Sequence, residues 1–284
     1  MVTGAEAELS DGRTLHYYDT REDEQDARVA VFWHHGSPNI GSPPEPLFSA
    51  AAENGLRWVS YDRPAYGGST PNPGRDVASA AADVAAIADA LGIGRFVVLG
   101  HSGGGPHALA CAALLPERVL AAVSVSALAP FDADGLDWFA GLSPGIAAEN
   151  RAATGGRAAL EAHWAGAVPE DMDAFFTEAD MAALGGNWSW LAGVADQAMQ
   201  QGNEGFTEDV LAGVQPWGFR LDAIRVPVLI LHGDKDRMVP GAHGKWLAAH
   251  CPTAELRLAA GAGHITVLDS APAALEWLRA RVSC

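Results

Sequence analysis

The chain has 284 residues and a mass of 29.6 kDa, enough for one large domain or two small ones, and 49% hydrophobic against 19% charged residues excludes a disordered chain. Its 18 basic and 35 acidic side chains give a formal net charge of −17, which argues against nucleic acid or an anionic membrane face as a partner. There is no run of eighteen apolar residues, Met1–Asp11 lacks a signal-peptide layout, and the three cysteines (Cys111, Cys251, Cys284) are odd in number and far apart. The expectation is a protein of the reducing cytoplasm with neither a disulfide framework nor a zinc site.

In chain order, Ala5–Leu9 and Arg13–Tyr18 flank Ser10-Asp11-Gly12 and predict a hairpin. Arg28–His34 and Leu56–Tyr61 are compact apolar runs suited to buried strands, each leading into a loop: Gly36-Ser37-Pro38 and Asp62–Ser69. Asp76 can cap a helix whose apolar face recurs from Val77 to Leu91, and Gly92 stops it. A strand at Arg95–Leu99, a helix at Pro106–Leu115 and a strand at Val119–Ala127 follow. Such alternation means βαβ units and a mostly parallel sheet. From Phe131 to Arg220 the pattern breaks into short helical stretches with no strand. It resumes with a strand at Val226–His232, a helix at Ala242–His250, a strand at Glu255–Leu258 and a helix from Ser270, with Pro272 in its first turn. The expected organisation is an α/β core over 1–130 and 221–284, interrupted by a helical segment over 131–220.

The sharpest motif is Gly100-His101-Ser102-Gly103-Gly104, a G-x-S-x-G at the junction of a strand and a helix. A serine there sits on a strained turn above the sheet, and the following helix N-terminus supplies N–H donors where negative charge develops. Serine needs a base at neutral pH, and the base needs an acid to orient it. Downstream, two further loops follow strands: His232-Gly233-Asp234-Lys235-Asp236-Arg237-Met238-Val239-Pro240 and Gly261-Ala262-Gly263-His264-Ile265. In a parallel sheet both lie at the same edge as Ser102, in the order Ser, Asp, His. Asp234, and less so Asp132 or Asp134, compete with Asp236 for the acid position. His35 and His232 read as structural residues, and His107 and His163 as packing or surface residues.

With His35-Gly36-Ser37-Pro38, Asp62-Arg63-Pro64-Ala65-Tyr66-Gly67-Gly68-Ser69, the serine turn and the paired Asp and His loops in this order, the sequence resembles the α/β-hydrolase fold superfamily. The resemblance implies that Ser102 is a nucleophile, His264 its base and Asp236 the acid, with the backbone N–H groups of Ser37 and Gly103 as oxyanion hole. It implies no cofactor and no metal. Ala65 departs from the pattern, which often has glycine there. In relatives an insertion after the sixth strand forms a cap. Here that segment holds five of nine Trp, six of nine Phe and 14 acidic against three basic residues, a net charge of −11. Candidate pocket residues are Trp138, Trp164, Trp188, Trp217, Met238 and Ile265; the acidic residues read mostly as a solvated face, with two or three able to meet a cationic group. The expected partner is a small-molecule substrate, with monomer and homodimer both open. The expected activity is hydrolysis of a small, largely apolar ester, lactone or amide. The alternatives are a prolyl-aminopeptidase-like peptidase, against which the His-Gly-Ser-Pro loop speaks, and a non-catalytic receptor on the same fold.

Overall fold

The structure is a computed structural model that describes residues 2–23, 25–168 and 171–282; Cys284 lies outside them. Among the described residues eight strands form one sheet: β1 (Thr3–Glu8), β2 (Thr14–Asp19), β3 (Val29–His34), β4 (Leu56–Tyr61), β5 (Phe96–His101), β6 (Val119–Val125), β7 (Val228–Gly233) and β8 (Ala254–Ala259). Their spatial order is β1-β2-β4-β3-β5-β6-β7-β8. The hairpin β1–β2 and the β2–β4 contact are antiparallel, and every later pairing is parallel.

Central strands β3 to β7 are apolar on both faces because helices cover both. On one side α2 (Ser79–Ala90), α3 (Gly104–Leu114) and α9 (Gly241–His250) bury Ile87, Leu109 and Leu247 against Phe32, Val98 and Ile230. On the other, α1 (Phe48–Glu53) and α10 (Ala271–Val282) bury Ala51, Leu275 and Leu278 against Trp33, Leu99 and Val123. The sequence reading does not foresee α1. Its six residues follow Pro43-Pro44 and are too few to show a helical period. Helix α2 begins two residues later than the pattern suggests: Asp76 accepts the Ser79 N–H at 2.8 Å, and the Ala78 N–H is drawn off to the Trp217 carbonyl.

Among the described residues between β6 and β7 lie five α-helices, α4 (Pro144–Ala153), α5 (Arg157–Gly166), α6 (Glu178–Leu184), α7 (Trp190–Met199) and α8 (Glu204–Gly213), and no strand. Nor is any helix of the described residues long and apolar enough to cross a membrane.

Ala65 adopts φ 73°, in the left-handed region that costs a side chain about 1–2 kcal/mol. Glycine removes that cost but adds about 0.4–1 kcal/mol of unfolded-chain entropy. Ala65→Gly is therefore expected to stabilise the fold by about 0.5–1 kcal/mol in urea denaturation; a loss of stability would contradict this account of the loop.

Candidate active site

The site forms where β3, β5, β7 and β8 end at one edge of the sheet. Strand β5 delivers Ser102, whose φ of 53° is a left-handed conformation forced on a non-glycine residue. The turn is held from both sides: the Ser102 N–H donates to the Val125 carbonyl at 2.8 Å, and the Gly105 N–H to the Ser102 carbonyl at 2.9 Å. Helix α3 can start this close to the sheet only because Gly104 has no side chain, since a Cβ there would fall on the His34 carbonyl.

Strand β3 delivers the Gly36-Ser37-Pro38 loop, with a cis Ser37–Pro38 bond. An added Cβ on Gly103 would stand 3.5 Å from the Ser37 nitrogen, so the two backbone donors named above are neighbours. Among the described residues neither N–H is taken up by a protein acceptor.

Strands β7 and β8 deliver the remaining pair. Asp236 Oδ2 lies 2.9 Å from His264 Nδ1, while Oδ1 accepts the Met238 and Val239 N–H groups at 3.0 and 2.8 Å. Burial by itself would raise the Asp236 pKa, but the imidazole and the donated hydrogen bonds outweigh it and hold the carboxyl below the usual range. Asp234 points away and accepts the exposed Gly261 N–H at 2.7 Å. Asp132 and Asp134 line a separate groove with Trp246 and His250.

The histidine loop is itself gripped by Asp180 of α6. This fully buried carboxylate accepts from the Ile265 N–H (3.0 Å), the Thr266 N–H (2.8 Å) and the Thr266 hydroxyl (2.9 Å) with one oxygen, and caps its own helix through Thr177 with the other. Gly263 must lack a side chain because a Cβ would overlap this carboxylate. Burial pushes the Asp180 pKa up, but the amide and hydroxyl donors outweigh it, so the net shift is downward from the ordinary 3.8. Asp180→Ala leaves several buried donors unpaired at about 1–3 kcal/mol each, part of which water recovers, and is expected to cost about 3 kcal/mol at pH 7. Because the folded pKa lies below the unfolded one, that contribution is present above pH 3.8 and fades as pH falls through the folded value. Urea midpoints at pH 7 and pH 3 test this; a loss under about 1 kcal/mol at pH 7, or one that does not shrink in acid, would contradict it.

A second carboxylate of the helical segment, Asp209 of α8, also has its side chain buried. It accepts from Arg63 Nε (3.1 Å) and Nη2 (2.6 Å), the Tyr66 hydroxyl (2.9 Å), Arg75 Nη2 and the Ser37 hydroxyl. Burial alone would raise its pKa, but the two guanidinium groups override that and hold it well below the usual carboxylate range. His35 is structural, its Nε2 accepting the Arg63 N–H at 3.1 Å.

Ser37, Ser102, Gly103 and Asp209 open onto a cavity of about 410 Å³ with a mainly apolar wall. Of the expected pocket residues, Trp217 and Met238 line it, and Trp138, Trp164, Trp188 and Ile265 do not. Trp138 turns away to pack on Phe131 and His243 and to donate to the Ala129 carbonyl at 2.9 Å. Trp164 stacks behind the wall on Phe206 and donates to Glu149 at 2.9 Å. Trp188 donates to Asp269 at 2.7 Å, and both Trp188 and Ile265 belong to the sheet core on the α10 side. Phe175, Phe176 and Phe206 take the places these residues were expected to fill. His107, one turn into α3, also lines the cavity, with Nδ1 donating to the Gly103 carbonyl at 2.8 Å. Glu149 reaches the wall as well, its pKa raised by burial.

A serine on a strained strand–helix turn, a buried Asp–His pair two strands away and a helical insertion after the sixth strand define an α/β-hydrolase architecture. The chain belongs to the alpha/beta hydrolase fold family, which it matches over residues 29–271. It is 33% identical over 245 residues to a non-heme chloroperoxidase of Streptomyces lividans, with 82% of each chain covered. Among solved structures it resembles an enol-lactonase from Burkholderia xenovorans LB400 (TM-score 0.72, 22% identity, 99% and 100% of the two chains). It also resembles a thermophilic esterase from Thermogutta terrifontis (TM-score 0.70, 21% identity, 98% and 99%).

Proposed function

We propose that this protein is a serine hydrolase of small, largely apolar carboxylic esters or lactones. The observation that carries the reading is Ser102 held at φ 53° on the wall of an apolar cavity, with the Asp236–His264 pair in the loops after β7 and β8 at the same sheet edge. In this reading Nδ1 of His264 keeps its proton by donating to Asp236, which leaves Nε2 free to take the Ser102 proton. The Ser102 alkoxide attacks the acyl carbonyl, and the oxyanion rests on the Ser37 and Gly103 N–H groups. His264 then protonates the departing alcohol, and water, deprotonated by the same imidazole, releases the acid from Ser102. Residues 131–220 act as a cap that supplies the cavity's Phe175, Phe176, Phe206 and Trp217.

A peptidase that captures a substrate amine would need an unpaired carboxylate in the cavity wall. Asp209 is already engaged by two guanidinium groups, which leaves Glu149, whose carboxyl accepts the Trp164 N–H. Initial rates with p-nitrophenyl acetate and butyrate beside proline p-nitroanilide separate the two: ester turnover with no anilide turnover is expected, and preference for the anilide would overturn the ester assignment.

The identity to a chloroperoxidase favours a second reading of the same site, with hydrogen peroxide as acyl acceptor. Peroxide attack on the acyl-Ser102 ester would give a peracid and restore the serine hydroxyl, with no change in the protein's redox state. Peracid formation from an ester plus hydrogen peroxide, lost in Ser102→Ala, would establish it.

A further inference from the structure

The donor that Ser37 offers to an oxyanion is one half of a peptide unit whose other half is the Gly36 carbonyl. In a planar trans peptide the N–H and C=O are conjugated and point in opposite directions, so charge drawn to the oxygen strengthens the N–H as a donor. The Gly36 oxygen receives two hydrogen bonds: Nη2 of Arg63 at 3.1 Å and Nδ1 of His35 at 2.7 Å. The first comes from a guanidinium that is 1% exposed, so its charge is not screened by water, and charge-assisted bonds are the stronger kind. The same Nη2 reaches the Ser37 hydroxyl at 3.0 Å, and Nη1 reaches the His35 carbonyl at 2.5 Å, so Arg63 grips the loop on three consecutive residues. What orients Arg63 is Asp209, bonded to both Nε and Nη2.

We propose that Arg63 is a positioning residue for the oxyanion hole, polarising and fixing the Ser37 N–H through the Gly36 carbonyl, and that Asp209 of the cap holds Arg63 in register for that task. The cap is then part of the oxyanion machinery and more than a roof over the cavity. This inference rests on the acyl-transfer reading given above.

The test compares wild type with Arg63→Lys, Arg63→Gln and the near-isosteric Asp209→Asn. Three quantities are read: kcat and KM for p-nitrophenyl acetate, the affinity for an aryl trifluoromethyl ketone, and the carbonyl stretch of a slowly hydrolysed acyl-enzyme. Weakening a donor costs less than the 10²–10³-fold that follows its loss, so kcat is expected to fall about tenfold in Arg63→Lys with KM changed less than about twofold. Ketone affinity falls by the same factor, because its hemiketal oxyanion uses the same hole, and the acyl carbonyl stretch moves to higher wavenumber. Asp209→Asn shifts all three in the same direction by less, and decides the matter if the Arg63 variants do not fold. Wild-type kcat, ketone affinity and carbonyl stretch in a folded variant would overturn the inference. So would a kcat loss with unchanged ketone affinity, the signature of a merely structural role. Ser102→Ala run alongside separates the two levels: full turnover without Ser102 means that the acyl-transfer reading itself has failed.

Discussion

Ser102→Ala is expected to lower kcat/KM for p-nitrophenyl acetate by about 10⁴-fold or more while leaving the fold intact. In the proposed mechanism the substitution removes the covalent route entirely, and only binding and the proposed oxyanion donors would remain to accelerate the direct attack of water. Folding should be insensitive, because the turn is fixed by backbone contacts to Val125 and Gly105 that alanine retains, and alanine meets the same left-handed constraint at φ 53°. Steady-state kinetics with a thermal melt read both. A variant that melts like wild type and loses less than about tenfold in kcat/KM would show that the serine is not the nucleophile.

Asp236→Asn is expected to cost about 10³–10⁴-fold in kcat with little change in KM. The carboxylate uses both oxygens: one accepts the Met238 and Val239 N–H groups, the other faces Nδ1 of His264. An asparagine that keeps its oxygen toward the two backbone donors must turn its NH₂ toward the imidazole. Nδ1 then has to accept, the ring proton moves to Nε2, and the nitrogen needed to take the serine proton is already protonated. Asp234→Asn changes none of these contacts, since Asp234 faces Gly261 at the surface, and should leave kcat within about twofold of wild type. Similar losses in both variants would contradict this pairing.

The two aspartates also show where sequence reasoning stops. Both lie in one loop two residues apart, and spacing alone leaves either able to reach a histidine; the direction each side chain takes is set by backbone contacts with β8 and its loop. The turn at Ser102 is legible because its requirements are local, a buried strand, small residues and a helix start within ten positions. The alternation of strands and helices is legible for a similar reason: both faces of the central strands are buried, so the apolar runs are unbroken. The pocket wall is not. Trp138, Trp164 and Trp188 are large and lie in the right segment, yet size does not report orientation, and each is drawn away by a partner for its indole N–H.

The acidic residues over 131–220 are mostly the solvated face expected of them, with Asp180 and Asp209 among the exceptions. Asp180 carries one local signal, the Thr177-x-x-Asp180 pattern of a capping box, but nothing in the immediate sequence of Asp180 or Asp209 marks its distant partners. The partners that make them structural are far along the chain: Ile265 and Thr266 for the first, Arg63 and Arg75 for the second. Arg63 carries a signal, because it sits in the Asp62–Ser69 motif, but the motif does not say that its guanidinium needs a carboxylate from α8. Part of the segment's negative charge therefore binds its helices to the loops that carry Ser37 and His264.

If Ser102 carries the acyl group, the acyl-enzyme can be trapped during turnover. Wild-type protein quenched in acid during turnover of a slowly hydrolysed ester should gain the mass of one acyl group, and peptide mapping should locate it on Ser102, with no such adduct in Ser102→Ala. An unmodified protein during active turnover, or an acyl group that maps to another residue, would contradict the account.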